Sequence, residues 1–175
     1  MASAMEALGL MHRKQGQPEQ ARPLLADNLK LADQILNAQP DDDVARRRHR
    51  MARFHLATVL SPVAAIPELL RVLDEFTEAG DERNQVKINY WLGLKLTEGD
   101  DGPAAIEPLR KGAHLAEANK MTLEQGLCHR ALADADPVNA ESHLREASRI
   151  LRGRFPDEEA EVRARMTELG FTGQE

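Results

Sequence analysis

One pattern of small residues recurs along this chain and constrains its fold more than any other feature. In each copy a large-small pair is followed by an alanine thirteen residues after the first member of the pair. The copies are Leu8-Gly9 with Ala21, the degenerate Ala52-Arg53 with Ala65, Leu92-Gly93 with Ala105, and Leu127-Cys128 with Ala140. Each alanine is followed four residues later by a leucine, at positions 25, 69, 109 and 144. Because residues four apart share one face of a helix, the pattern predicts four pairs of packed helices.

Composition also favours an all-α chain. The sequence is 42% hydrophobic but only 3% aromatic, and strong helix formers predominate over β-branched residues. A net charge of −6 works against binding to nucleic acid or to anionic membranes. The single cysteine, Cys128, excludes an internal disulfide and suits a reducing compartment. With neither a signal peptide nor an apolar run of about 18 residues, the sequence predicts a soluble, cytoplasmic protein.

Prolines and short polar segments predict where the helices begin. Pro18, Pro62, Pro103 and Pro137 each stand where a second helix would start, a position that tolerates the missing N–H of proline. The acidic run 41–43 is expected to cap the third helix. The predicted helix pairs cover about 2–38, 42–79, 83–118 and 121–153, which together form a repeat array over 1–153. A ninth helix is expected within 157–171, where Ala160, Val162, Met166, Leu169 and Phe171 would cover the last pair.

On these residues the chain resembles the tetratricopeptide repeat (TPR) family. The segments that carry the resemblance are 8–21 and 91–106, and the period of 34 residues between Pro103 and Pro137 agrees with it. The resemblance implies a TPR-like α-solenoid of four antiparallel helix pairs plus a C-terminal capping helix. Small residues at 9, 93 and 128 would let paired helices approach closely. Arg53 departs from this pattern, and the clamp that some TPR proteins use for a terminal carboxylate is absent, since Glu6 and Leu10 stand where it would begin.

The sequence contains none of the common nucleotide-binding or metalloprotease motifs, nor a paired-cysteine motif. Cys128 and His129 are neighbours, but adjacent residues on a helix point about 100° apart, so a packed thiol is favoured over a nucleophile–base pair. The six histidines include no pair at i, i+4 spacing, which argues against a metal site. We therefore expect no enzymatic activity, no cofactor and no metal.

The resemblance also implies that one face of each first helix lines a concave groove. The residues that it places there are Leu10, Arg13, Arg47, Arg50, Phe54, Lys87, Tyr90, Leu94 and His129. This set is apolar in the middle and basic along one side, and it includes part of the arginine-rich run 46–50. Two alternatives remain open: the arginines are a solvated helix face balanced by the acidic run 41–43, and Phe54 and Leu94 pack between repeats.

From this groove we predict a non-catalytic module that binds a protein or peptide segment carrying acidic and apolar residues. The alternative is a sensory or regulatory domain of a larger bacterial signalling protein or transcription regulator, since the chain begins inside a helical pattern. Association of the first helix with a second copy is also open. The sequence does not identify the partner.

Overall fold

The structure is a computed structural model that describes residues 2–171, with side chains from Ala4 onward. This part of the chain is helical and contains no strand. The helices are α1 (Ala2–Lys14), α2 (Pro18–Ala38), α3 (Asp43–Ala57), α4 (Pro62–Glu78), α5 (Glu82–Glu98), α6 (Gly102–Ala118), α7 (Thr122–Ala135), α8 (Ala140–Leu151) and α9 (Pro156–Glu168). The prediction of an all-α chain with nine helices is therefore confirmed for the residues described.

Local residue chemistry explains several of the helix starts. Pro18 and Pro62 are the first residues of α2 and α4, and Pro103 is the second residue of α6. Asp42 caps α3, as its side chain accepts a hydrogen bond of 2.8 Å from the backbone N–H of Val44. Pro137 behaves differently, because it opens a short 3₁₀ turn, Pro137–Asn139, that leads into α8.

The chain divides into two compact units, Met1–Phe76 and Thr77–Glu175. In the first unit, α2 packs against both α1 and α3, and the side chain of Arg53 on α3 reaches carboxylates on α4. In the second unit, each helix from α5 to α9 packs against the next one, and α5 also packs against α7.

The alanines and leucines of the repeated pattern form the core. The four alanines are at most 3% exposed, and the four leucines that follow them are fully buried. Gly9 and Gly93 lie directly on two of these leucines: an added Cβ would be 2.8 Å from Leu25 Cγ at Gly9 and 2.3 Å from Leu109 Cγ at Gly93. The expected close approach at both glycines is present.

Two first-helix positions differ from the simple pattern. Leu8, which was expected to point inward, is 40% exposed and lies with Ala4, Ala7 and Met11 along one exposed face of α1. Arg53 occupies the position of a small residue, yet its side chain is only 16% exposed. It is accommodated because its guanidinium pairs with Glu68 and Glu75 instead of packing on a leucine.

Helix α9 lies against the last apolar cluster. Val162 is fully buried in the cluster that includes Leu144 and Leu151, and Met166 and Phe171 pack against its edge. Of the other residues expected to cover this surface, Ala160 is exposed and Leu169 is 39% exposed. Within residues 2–171, no helix is long and apolar enough to cross a membrane.

Candidate binding surfaces

In the first unit, several side chains that were expected in a groove are engaged within the fold. Phe54 is 2% exposed, so its ring belongs to the core and is not available to a partner. Leu10 packs against the buried cluster that contains Leu25. Arg13 donates a hydrogen bond of 3.0 Å from Nη1 to Thr58 Oγ1. Arg47 is an exposed residue of α3.

The arginine-rich run is divided among separate structural roles. Arg46 Nη2 donates to the Asp41 carbonyl and to the Asp43 carboxylate, both at 2.9 Å, and thereby ties the start of α3 to the preceding turn. Arg50 places its guanidinium 5.2 Å from the centre of the buried Phe76 ring, a cation–π contact. The run is therefore not a uniform basic patch, because two of its members hold the first unit together.

In the second unit, the expected groove residues lie on the neighbouring helices α5 and α7. Tyr90 and Leu94 are half-buried and pack against the apolar cluster that includes Leu132 on α7. Lys87 and His129 are half-buried as well. Leu94 thus packs between helices, in line with the alternative given for Phe54 and Leu94 in the sequence analysis.

An open cavity of about 370 Å³ lies among α2, α3 and α4 of the first unit. Its apolar lining consists of Leu29, Leu56, Ala57, Leu60 and Ala64, and its ionisable lining consists of Asp33, His49, Arg53 and Glu68. Binding sites in proteins have this character, being mostly apolar concavities of about 300–1,000 Å³ with a few placed polar groups.

The ionisable groups of the cavity form two pairs, each of a basic and an acidic side chain. His49 Nε2 lies 2.9 Å from Asp33 Oδ1. Arg53 pairs with Glu68 and also with Glu75, just outside the lining. Burial acts to lower the pKa of Arg53, but the hydrogen bonds to the two glutamates outweigh it and hold that pKa above its usual value. The charges of the lining are thus largely compensated, and its apolar side chains are the surface that remains for a partner.

Sequence reasoning did not identify this cavity. Its residues on α3, which include His49, Arg53 and Leu56, recur at spacings of three and four, as do Leu29 and Asp33 on α2. That spacing marks one helix face, but it lies about 100° from the face that carries Arg47, Arg50 and Phe54. The spacing of the cavity residues is thus visible in the sequence. It does not identify a cavity, however, because an ordinary packed helix also shows an apolar stripe with interspersed charges.

Cys128 is fully buried on α7. Burial, reinforced by the nearby charge of Glu124, raises the pKa of the thiol to about 12, so the group stays protonated at neutral pH. Among residues 2–171, no group of three or more His, Cys, Asp or Glu side chains is placed to hold a metal ion.

Comparison of the chain with protein-family models, with curated proteins and with solved structures found no match.

Proposed function

We propose that this chain is a non-catalytic, TPR-like module that binds a protein or peptide segment with apolar and acidic residues. The observation that carries the proposal is the cavity among α2, α3 and α4, whose apolar lining can bury a large side chain of a partner. Burial of such a side chain would provide most of the affinity.

The acidic part of the proposed partner is matched to α3. Arg47 is exposed six residues before the cavity residue Arg53 and nine before Leu56, which is about two turns of α3. An extended segment is about 3.3 Å long per residue, so a carboxylate a few residues from the buried side chain can reach this end of α3. Long-range attraction between the arginine and an acidic residue would mainly raise the association rate and fix the direction of the segment.

The test begins with selection of random displayed peptides on the purified full chain. We expect enriched sequences in which Leu, Ile, Met or Phe lies a few residues from Asp or Glu. For one selected peptide, Ala64→Trp should weaken binding by about tenfold or more, because the indole fills the cavity. Ala64 is an exposed residue of the lining, so this change leaves the buried core intact.

Two matched controls accompany this test. Val63→Trp adds the same indole at a neighbouring position that is 87% exposed and outside the cavity lining, and should change affinity less than about twofold. Arg47→Glu should slow association of the peptide, whereas Arg152→Glu, the same charge change at an exposed position of the second unit, should have a smaller effect. Equal affinity for the Ala64→Trp and Val63→Trp chains, or no enriched peptide at all, would refute the proposed function.

A further inference from the structure

Two imidazoles lie side by side where α7 packs against α8. The ring centroids of His129 and His143 are 6.0 Å apart, and the ring planes are tilted by 38°. His129 Nδ1 and His143 Nε2 are both buried, and neither has a hydrogen-bond partner within the described residues. Buried polar atoms are nearly always hydrogen-bonded in folded proteins, so two unsatisfied ring nitrogens at one helix contact are unusual.

The carboxylate beside His143, that of Asp136, is engaged by other side chains. His143 Nε2 lies 3.7 Å from Asp136 Oδ2, too far for a hydrogen bond. Asp136 Oδ2 accepts a hydrogen bond of 2.9 Å from Asn139 Nδ2 and lies 3.6 Å from Arg110 Nη2, on α6.

The charged side chains that act on His129 are Glu117 of α6 and Glu146 and Arg149 of α8. Arg149 Nε donates a hydrogen bond of 2.8 Å to Glu146 Oε2, so the carboxylate that acts most strongly on His129 is already paired. A proton on the His129 ring would therefore add a charge to a half-buried site, beside a second imidazole and beside a glutamate, Glu146, whose charge Arg149 already balances.

We propose that the His129–His143 pair makes the packing of α7 against α8, and with it the stability of the second unit, sensitive to mildly acidic pH. The packed arrangement is most stable when His129 is neutral. Protonation places charge between two helices that share an apolar cluster containing Ala133, Leu144 and Ala147. Loss of this contact would also uncover α9, which packs on α8.

The direction of the pH dependence follows from the environment of His129. Burial lowers the pKa of His129 below its ordinary value of 6.5; the charge of Glu146 opposes this change and His143 reinforces it. The unfolded chain therefore binds a proton at pH values where the folded chain does not, and stability decreases as the pH falls below about 6.5. The lowered pKa values of Asp136 and Glu146 act in a separate, more acidic range, below the ordinary carboxyl values of 3.8 and 4.5.

The experiment uses Trp91, the single tryptophan of the chain, which lies in the second unit. Thermal unfolding of the full chain is followed by tryptophan emission at pH 7.5 and at pH 5.5. We expect the midpoint to be about 3–6 °C lower at pH 5.5. His129→Gln and His143→Gln should each reduce this difference by about half or more, whereas His114→Gln, at an exposed position on α6, should preserve it.

A histidine NMR titration of the full chain provides a second, site-specific measurement. The ring resonances of His129 should titrate below pH 6.5, and His143→Gln should move this midpoint upward, because it removes the neighbouring charge. Equal unfolding midpoints at the two pH values would overturn the proposal. The same holds if the His129→Gln chain retains the full difference, or if His129 titrates at or above pH 6.5.

Discussion

At the scale of single residues, the missing side chain of Gly93 sets how closely α5 approaches α6. The backbone of Gly93 lies against Leu109, and the position that a Cβ would occupy is 2.3 Å from Leu109 Cγ. No side chain fits there without movement of one helix or of the leucine, which is fully buried.

We predict that Gly93→Ala destabilises the chain by about 1–3 kcal/mol, because overpacking outweighs the ~1 kcal/mol by which alanine favours a helix. Urea unfolding followed by Trp91 emission measures the change. In a Leu109→Ala background the added methyl group has room, so there the same substitution should be neutral or stabilising. A penalty of equal size in both backgrounds would show that the contact with Leu109 is not its cause.

Arg53 illustrates a second residue-scale effect, in which a planar guanidinium joins two carboxylates that a single ammonium cannot bridge. Arg53 pairs with Glu68 through Nε and with Glu75 through Nη1. We predict that Arg53→Lys lowers the free energy of unfolding by about 1 kcal/mol. Arg48→Lys, the same change at an exposed position of α3, should alter it by less than about 0.5 kcal/mol. Indistinguishable urea midpoints for the two variants would contradict this interpretation.

At the scale of helices, the sequence predicted most of the element boundaries because their signals are local. Pro18, Pro62 and the cap at Asp42 act within one helical turn, and the helices start there as expected. The start of α8 was less accurately predicted, since Pro137 opens a 3₁₀ turn instead of the helix itself.

A second set of prolines escaped the sequence analysis. Three of the helices contain a proline five residues after the one at their start: Pro23 in α2, Pro67 in α4 and Pro108 in α6. A proline at this depth removes a helical hydrogen bond, because it has no N–H to donate to the carbonyl four residues earlier. Such a residue argues against a helix when read alone, yet the tertiary packing of α4, with Leu69 and Val72 fully buried, outweighs it.

We predict that Pro67→Ala stabilises the chain by about 1–2 kcal/mol, since it restores one hydrogen bond and relieves a steric conflict, while the unfolded chain gains some freedom. Pro67 is exposed, so no packing is lost. The matched control is Pro62→Ala at the first position of α4, where no helical hydrogen bond is restored. Thermal unfolding should show a higher midpoint for Pro67→Ala and an unchanged or slightly lower one for Pro62→Ala; the reverse order would be inconsistent with this account.

At the scale of the whole molecule, the sequence could not separate residues that pack from residues that bind. Phe54 and Leu94 were predicted to line the groove, and both lie on helices, as predicted. Their burial, however, depends on which helix lies beside them: Phe54 is in the core, and Leu94 packs against the cluster that includes Leu132. The cavity in the first unit escaped prediction for the same reason, because it is formed jointly by residues from three helices.

The single thiol offers a direct measure of opening in the second unit. Cys128 is fully buried and its pKa is raised to about 12, so both access and thiolate formation are suppressed in the folded chain. We predict that a disulfide reagent modifies Cys128 at least about a hundredfold more slowly in buffer at pH 8 than in 8 M urea. Rates measured by absorbance under both conditions check this, and a native rate close to the denatured one would mean that α7 is not packed as described.

The ion pairs of Arg53 have a consequence for how similar helices find their correct neighbours. A chain that repeats one packing pattern risks exchanging equivalent helices while it folds. If α4 were to dock on the glycine-bearing face of α1 or α5, Glu68 and Glu75 would lose the cation that balances them, and neither of these faces offers an arginine in the position of Arg53. Arg53, the one charged residue in an otherwise apolar pattern, therefore favours pairing of α4 with α3 and disfavours folding intermediates in which helices are mispaired.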